Sequence, residues 1–468
     1  MNISSLTLFT KGFVCFIVLG VAPAVSFAQK IGTGCKLDPA LYEKVPLAAP
    51  LLRGNYENLP TQVSLRKYAP IPQNQGAYGT CVGWSTAYAA RTIQMALQQN
   101  WTNTELITEN ALSPFFVYEE AKPADDIYCQ EGTSLFNALE ILKDVGSVRL
   151  SEYGSNCGQS IPKSLEKKAN QFKIKDYRRL FDIGTKDKVP FVKKSLSENK
   201  PVVIGIQCCA ESFLNAKGIE YWQLQSTDKP NPDGGHALTV IGYDDNYDNG
   251  KGAFELMNSW GTAWGDQGFI RMSYEDFNKY CFEAYEMTLP NVEVNVLSGK
   301  IHFELSAGQE MPVYFKKNAY EMKEGYHSGT LFRIYVSNNE PAYIYAFGSD
   351  LNNKDYRIYP NDTKISPYLG YKGSKMAIPD EENYIQMDDN KGIDYICVLY
   401  AAEKLDIDKI LADMALASGN LQSRLQSVLG DKLLKFSEAN HLGNEDIHFK
   451  GTSRIKTVLP IIVAINHL

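Results

Sequence analysis

The sequence predicts an α+β fold. Two observations carry this reading. Between Leu59 and Leu289 helix-like segments come first and strand-like segments follow, and beyond Pro290-Asn291 the pattern changes to dense aromatic alternation closed by Asn, Asp and Ser. The chain of 468 residues carries a net charge of −7 and no block of consecutive cations, which argues against a nucleic-acid partner, since such binding needs clustered Lys and Arg.

The opening segment has one cation, Lys11, an apolar run over residues 12–25, and then Ser26-Phe27-Ala28 with small residues flanking a cleavable bond. This is the pattern of a secretory signal peptide over residues 1–28, and the run is broken by Pro23 and too short to span a bilayer comfortably. A secreted or periplasmic, extracytoplasmic protein without a membrane span is expected, with 468 − 28 = 440 residues left for two domains or more. Residues 29–58 lack periodicity and read as an extended N-terminal arm.

Residues 81–98 (CVGWSTAYAARTIQMALQ) and 134–145 repeat apolar residues at helical spacing. The short runs PVVIGIQ, HALTVIGY, GAFELMN and GFIRMS, bounded by Gly, Asp and Asn, read as strands. The expected domains are residues 59–292, and then residues 298–468, a β-rich domain with a helical segment between Leu405 and Phe436 and a closing strand VLPIIVAI. This second domain carries no paired acidic site and reads as a structural or binding module, with a protein or the cell envelope as the partner it could serve.

Nine cysteines occur in the chain, and Cys15 leaves with the signal. None are spaced Cys-x-x-Cys and no histidine lies near them in sequence, so no metal site and no cofactor is expected. Cys81 follows a Gly-containing turn and begins a helix, where unpaired backbone N–H groups and the macrodipole favour a thiolate. Between Leu59 and Leu289 the one histidine is His236, at the entry of an apolar strand. It is the base available locally for a cysteine nucleophile. Asn258, 22 positions on, ends the next strand, and an amide oxygen there can fix the ring's tautomer and orientation, with Trp260 keeping water off that bond.

The ordered set Gln75, Cys81, His236 and Asn258, within the strings QNQGAYGTC, GGHALTVIGY and NSWGTAWGDQGFIRM, resembles the papain family of cysteine peptidases. Cys81 precedes His236 by 236 − 81 = 155 residues and Asn258 by 258 − 81 = 177, beyond the roughly 130–150 usual for that family, which surface insertions would account for. The resemblance implies a papain-like two-lobe fold, a helical lobe carrying Cys81 and a β-rich lobe carrying His236, with polypeptide substrates bound between them. It implies peptide-bond hydrolysis through a Cys81 thioester, with the oxyanion held by Gln75 and the Cys81 N–H. An exopeptidase or transpeptidase variant, and a catalytically silent scaffold that binds peptides, are the alternative readings.

The same resemblance implies substrate-binding positions at Gly79, Gly132, Gly205, Gly234, Ala237 and Trp264. Gly205, Gly234 and Ala237 would wall a roomy apolar pocket for the residue preceding the scissile one, and Gly132 would offer its backbone to an extended peptide. Where the family has Cys-Gly-Ser-Cys-Trp this chain has Tyr78-Gly79-Thr80-Cys81-Val82, so the usual disulfide at that turn is lost. The resemblance then leaves Cys129 to pair with Cys157, and Cys281 with Cys208 or Cys209. Only about thirty residues lie between Ala28 and Leu59, which predicts no inhibitory prosegment of the family's usual long helical kind. The C-terminal region weakly resembles a β-rich domain of unknown function found on bacterial enzymes, through YIYAFGSD, RIYPN and MAIPDEENYIQM.

Overall fold

Strand Val202–Gln207 is buried along nearly its whole length, as its continuous apolar run requires, and it lies inside a sheet rather than at an edge. The computed structural model describes residues 32–154, 157–207, 211–226, 228, 235–290, 294–316, 319–350, 352–442 and 446–468. Among these, the first sheet runs in the order Asp176–Arg179, Cys281–Thr288, Val202–Gln207, Gly235–Asp244, Ala253–Met257, Phe269–Ser273, Tyr221–Trp222, with Gln62–Ser64 added to Gly235–Asp244.

One long helix packs against this sheet. It runs through Cys81–Gly83, Trp84–Arg91 and Thr92–Gln99, the middle stretch wound as π-helix, and ends at Asn100 in the left-handed conformation. Its register on the sheet is pinned by Thr239 Oγ1, which donates to Ser85 O at 2.9 Å. Leu135–Asp144 forms the second expected helix, capped by the Ser134 hydroxyl on Asn137 N. The larger part of one apolar core lies between these helices and the sheet, around Tyr88, Phe116, Leu139, Ile204 and Leu238.

From Asn295 onward the described strands form two further sheets. One has the order Val313–Lys316, Ala319–Tyr326, Val458–His467, Gly392–Ala401, Ala342–Ser349, Asp355–Tyr359, and the other Lys375–Ile378, Leu331–Asn338, Asn295–Leu305, Ile447–Ser453, Ala439–Leu442. Period-two alternation decides their layers. Ile344 and Ala346 face the core between the two sheets, while Tyr343, Tyr345 and Phe347 face a second core under the helices. The helix-like stretch over residues 405–436 is two helices, Ile407–Leu416 and Leu421–Leu429, because Gly419 at φ +104° breaks the run and Asn420 caps the second through Ser423 N.

The arm is not a free extension. Leu47 N donates to Lys364 O and Ser366 N donates to Leu47 O, both at 2.7 Å, while Ala48 N donates to Arg179 O at 2.8 Å. Leu47 thereby makes isolated parallel bridges to Arg179 on one side and Ile365 on the other. Beside them the buried Glu286 carboxylate accepts from Arg178 (2.7 Å), Lys200 (2.9 Å), Ser195 (2.6 Å) and Tyr371 (2.5 Å). Those two cations hold it down to about 2 against the opposing effect of burial. No helix among the described residues is long and apolar enough to cross a membrane, and residues 1–28, read as a signal peptide, lie outside the described residues.

Candidate active site

His236 opens strand Gly235–Asp244, and Asn258 stands one residue past strand Ala253–Met257. The two strands are antiparallel neighbours, which brings His236 Nε2 to 2.8 Å from Asn258 Oδ1. Asn258 Oδ1 also accepts from Ser259 N at 2.7 Å, so the oxygen is the acceptor and Nε2 carries the proton. Nδ1 of the neutral ring is then the free base, and it is buried with no hydrogen-bond partner among the described residues. Trp260 stacks on the imidazole, centroids 4.4 Å apart and planes 23° from parallel. Burial lowers the His236 pKa to about 4, with the Asn258 bond opposing the shift.

Cys81 takes the first position of its helix, and that helix start packs against the strand carrying His236. Gln75 lies in the turn that leads to it. This turn is bonded to the Asn258 segment, Gln75 N to Ser259 O at 2.8 Å and Gly261 N to Gln73 O at 3.1 Å. Gln75 Oε1 accepts from Ser259 Oγ at 2.5 Å, and Nε2 donates one hydrogen to Tyr78 O at 2.8 Å, leaving the second. The structure thus gathers a thiol at a helix N-terminus, a base with a fixed tautomer and an amide donor, the parts acyl transfer requires.

Cys81 and His236 are both 0 % exposed, and the arm is bonded to the segments on either side of them. Gly32 N donates to Gly76 O (3.0 Å) and Gly32 O accepts from Trp260 Nε1 (3.1 Å). Cys35 N donates to Gly235 O (3.1 Å), Lys36 N to Thr133 O and Thr133 N to Gly34 O (both 3.0 Å). Residues 32–36 therefore form a strap across the site between the Gly132 and Gly235 edges. The fit is backbone on backbone, since a Cβ on Gly235 would lie 2.0 Å from Cys35 O and one on Gly32 2.0 Å from Tyr78 O. The expectation of an extended arm over residues 29–58 is corrected in part: residues 32–36 are extended, whereas Pro39–Lys44 and Gly54–Glu57 are short helices, the first started by the Asp38 side chain accepting from Ala40 N and Leu41 N.

Other expected positions are also revised. Gly132 does not offer its N–H to a peptide, because that group donates to Tyr118 OH at 2.9 Å, and the backbone edge in use belongs to Thr133. Trp264 is a buried support for Trp260, set edge-on at 5.3 Å and donating to Phe213 O, rather than a peptide-facing surface. Gly79 is buried, its N–H on Cys129 O, with room for no more than hydrogen: a Cβ would sit 3.0 Å from Gly132 N. Gly205 pairs with Ala237 as the strands require, yet the pocket beside them is not apolar. A Cβ on Gly205 would come 2.6 Å from Glu283 Oε1, and Glu283 is buried with its pKa raised to about 7 by that burial. Glu283 escaped the sequence reading; it is one of two acids, with Glu286, in the largely buried strand Cys281–Thr288.

Cys129 and Cys157 are joined as a disulfide with Cα atoms 6.1 Å apart. The expected Cys281–Cys208 pair is not formed: Cys281 is a free buried thiol that donates to Glu283 O at 3.4 Å. Cys208, Cys209 and Gly234 lie outside the described residues.

Residues 59–290 match the profile of the papain family of cysteine proteases. Among curated proteins, the chain is 26 % identical over 243 residues to cysteine proteinase COT44 of Brassica napus, covering 50 % of this chain and 67 % of that one. It is 33 % identical over 102 residues to cathepsin L of Sarcophaga peregrina, covering 22 % of this chain and 28 % of the relative. Among solved structures, xylellain, a cysteine protease from Xylella fastidiosa, aligns at 20 % identity with a TM-score of 0.46, over 56 % of this chain and 97 % of that one. The chain therefore carries a papain-family cysteine protease domain over residues 59–290.

Proposed function

We propose that this protein is an exported cysteine endopeptidase in which Cys81 is the nucleophile, His236 the acid and base, Asn258 the group that orients it and Gln75 an oxyanion donor. The observation that carries this reading is the His236–Asn258 bond of 2.8 Å under the Trp260 ring, with Nδ1 left as a buried base beside the helix that starts at Cys81. His236 Nδ1 takes the Cys81 proton, and the thiolate sulfur attacks the scissile carbonyl carbon. The oxyanion is held by the second Gln75 Nε2 hydrogen and the Cys81 N–H. Imidazolium then protonates the leaving amine, and a water deprotonated by His236 cleaves the thioester.

In this reading the strap is the control element. It covers the thiol and imidazole, so turnover requires residues 32–36 to leave the cleft. The segment over residues 1–28, with its cation, apolar run and Ser26-Phe27-Ala28 end, supports export.

The test is reaction of the purified protein with an epoxide thiol probe, with mass mapping, comparing wild type with His236→Ala. Labelling of Cys81 that collapses in the variant is the expected result. Slow labelling insensitive to the substitution leaves a peptide-binding scaffold in place of the enzyme.

A further inference from the structure

The seam between the protease domain and the C-terminal strands holds a cavity of about 520 Å³, walled by Leu97, Met287 and Leu289 on one side and by Pro341, Tyr368 and Gly370 on the other. Small-molecule sites favour such seams, and this volume lies in their usual range. Two polar groups in the wall have bonding capacity that the protein leaves unused. Gln94, 5 % exposed near the end of the long helix, donates from Nε2 to Met287 O at 3.1 Å, while its Oε1 is buried with no hydrogen-bond partner among the described residues. The donor bond fixes which way the amide faces, so the orphan atom is an acceptor.

Lys200 is the second group. A turn with Asn199 at φ +58° delivers it to the start of strand Val202–Gln207. Its Nζ donates to Glu286 Oε1 at 2.9 Å and to Gly370 O at 2.8 Å, which leaves one of its three hydrogens. Glu286 Oε1 also accepts from Arg178 at 2.7 Å, so two cations share one buried carboxylate and one positive charge goes unmatched. Arg178 alone would neutralise Glu286, so packing does not explain the second cation. The next acid, Glu198, is bound to Lys194 at 2.8 Å. Burial lowers the Lys200 pKa, and of its charged neighbours Glu286 opposes that shift while Arg178 adds to it. Gln94 and Lys200 are anchored on neighbouring residues of one strand, Met287 and Glu286, so both unused groups serve the same cavity.

We propose that this cavity binds a short peptide by its C-terminal end, with the carboxylate on the Lys200 ammonium and a peptide N–H on Gln94 Oε1. The match is chemical at both points. An anion completes the charge count around Glu286, and an amide N–H completes the hydrogen bonding of Gln94. A neutral or cationic ligand would leave the excess charge of Arg178 and Lys200 in place, and the apolar wall of Leu97, Met287 and Leu289 suits an aliphatic body. No residue of this wall is among those gathered around Cys81, so the site is separate from the candidate active site and does not depend on the peptidase reading. Peptide-bond hydrolysis yields ends of this kind, and in an active peptidase the ligand is a class of product.

The experiment is isothermal titration calorimetry of the full chain with N-acetyl-alanyl-alanine and with its C-terminal amide, repeated on Lys200→Gln and Gln94→Met after circular dichroism confirms folding. Wild type is expected to bind the acid saturably and about tenfold or more tightly than the amide, which lacks the anion. Lys200→Gln should abolish that preference, and Gln94→Met should weaken the acid about tenfold while keeping it. Lys200→Gln leaves Arg178 to match Glu286, and Gln94→Met carries the test if that variant does not fold. No saturable heat from the acid, equal affinity for acid and amide, or binding that neither substitution changes overturns the proposal. Each of these results is read independently of Cys81 labelling, so the peptidase reading stands or falls separately.

Discussion

Gly34 and Gly132 meet backbone to backbone, so closely that a Cβ on Gly132 would lie 2.1 Å from Gly34 O and one on Gly34 would lie 2.4 Å from Gly79 O. The strap is seated by glycine on both sides of the contact. Gly34→Ala changes the arm without touching any residue proposed to do chemistry, and no backbone there can yield without moving the strap. Cys81 in this variant is expected to react with the epoxide probe about tenfold faster or more than in wild type, read by mass spectrometry of the labelled peptide. Equal rates would show that the strap does not limit access.

Removing the base should be far more damaging than loosening the strap. His236→Ala is expected to lower kcat/KM by about 10³-fold, the range for a positioned proton-transfer group, with Asn258→Ala losing less because the ring remains. Steady-state kinetics on enzyme whose folded fraction is checked by circular dichroism measures both.

Acid should open the site. His236 is held neutral, its pKa lowered by burial to about 4 from 6.5, so a solvated imidazole binds more protons than the buried one across that interval. The covered state is therefore fully favoured above about 6.5 and loses that advantage as pH falls toward about 4. Strap release, followed as Cys81 labelling or as proteolytic sensitivity of residues 32–36, should rise over this interval. The rise should be absent in His236→Gln, where the labelling readout is replaced by the proteolytic one.

Glu286 predicts a second loss on acidification, at lower pH and in the body of the molecule. Arg178 and Lys200 hold its pKa down to about 2 from 4.5. That stabilisation is present above about 4.5 and is lost as pH falls toward about 2. Glu286→Ala leaves the buried Arg178 guanidinium without its counter-ion and is expected to cost about 3–5 kcal/mol, measured by denaturant unfolding at neutral pH.

Local chemistry by itself determined the identities in the site. A turn before Cys81, a strand entry at His236 and a strand end at Asn258 are readable because capping, turn residues and apolar periodicity act over a few neighbouring positions. The same holds for the helix Leu135–Asp144 and for the aromatic strands beyond Asn295. The one break missed at that scale, between Leu416 and Leu421, lies in a run whose apolar spacing continues across Gly419.

Tertiary structure alone decided what covers the site and what lies under it. The arm has no periodicity, because its partners are the backbones of Gly76, Thr133 and Gly235, from three separate parts of the chain. Glu283 is 248 residues from the Cys35 thiol it faces, and its place follows from strand register, which sets Gly205 against it. Trp264 and Gly132 were assigned by position in a motif, but a burial partner, Phe213 in one case and Tyr118 OH in the other, redirected each. Sequence reports which groups are available; which of them meet, and which are left with a charge unmatched, is fixed by packing between segments far apart in the chain.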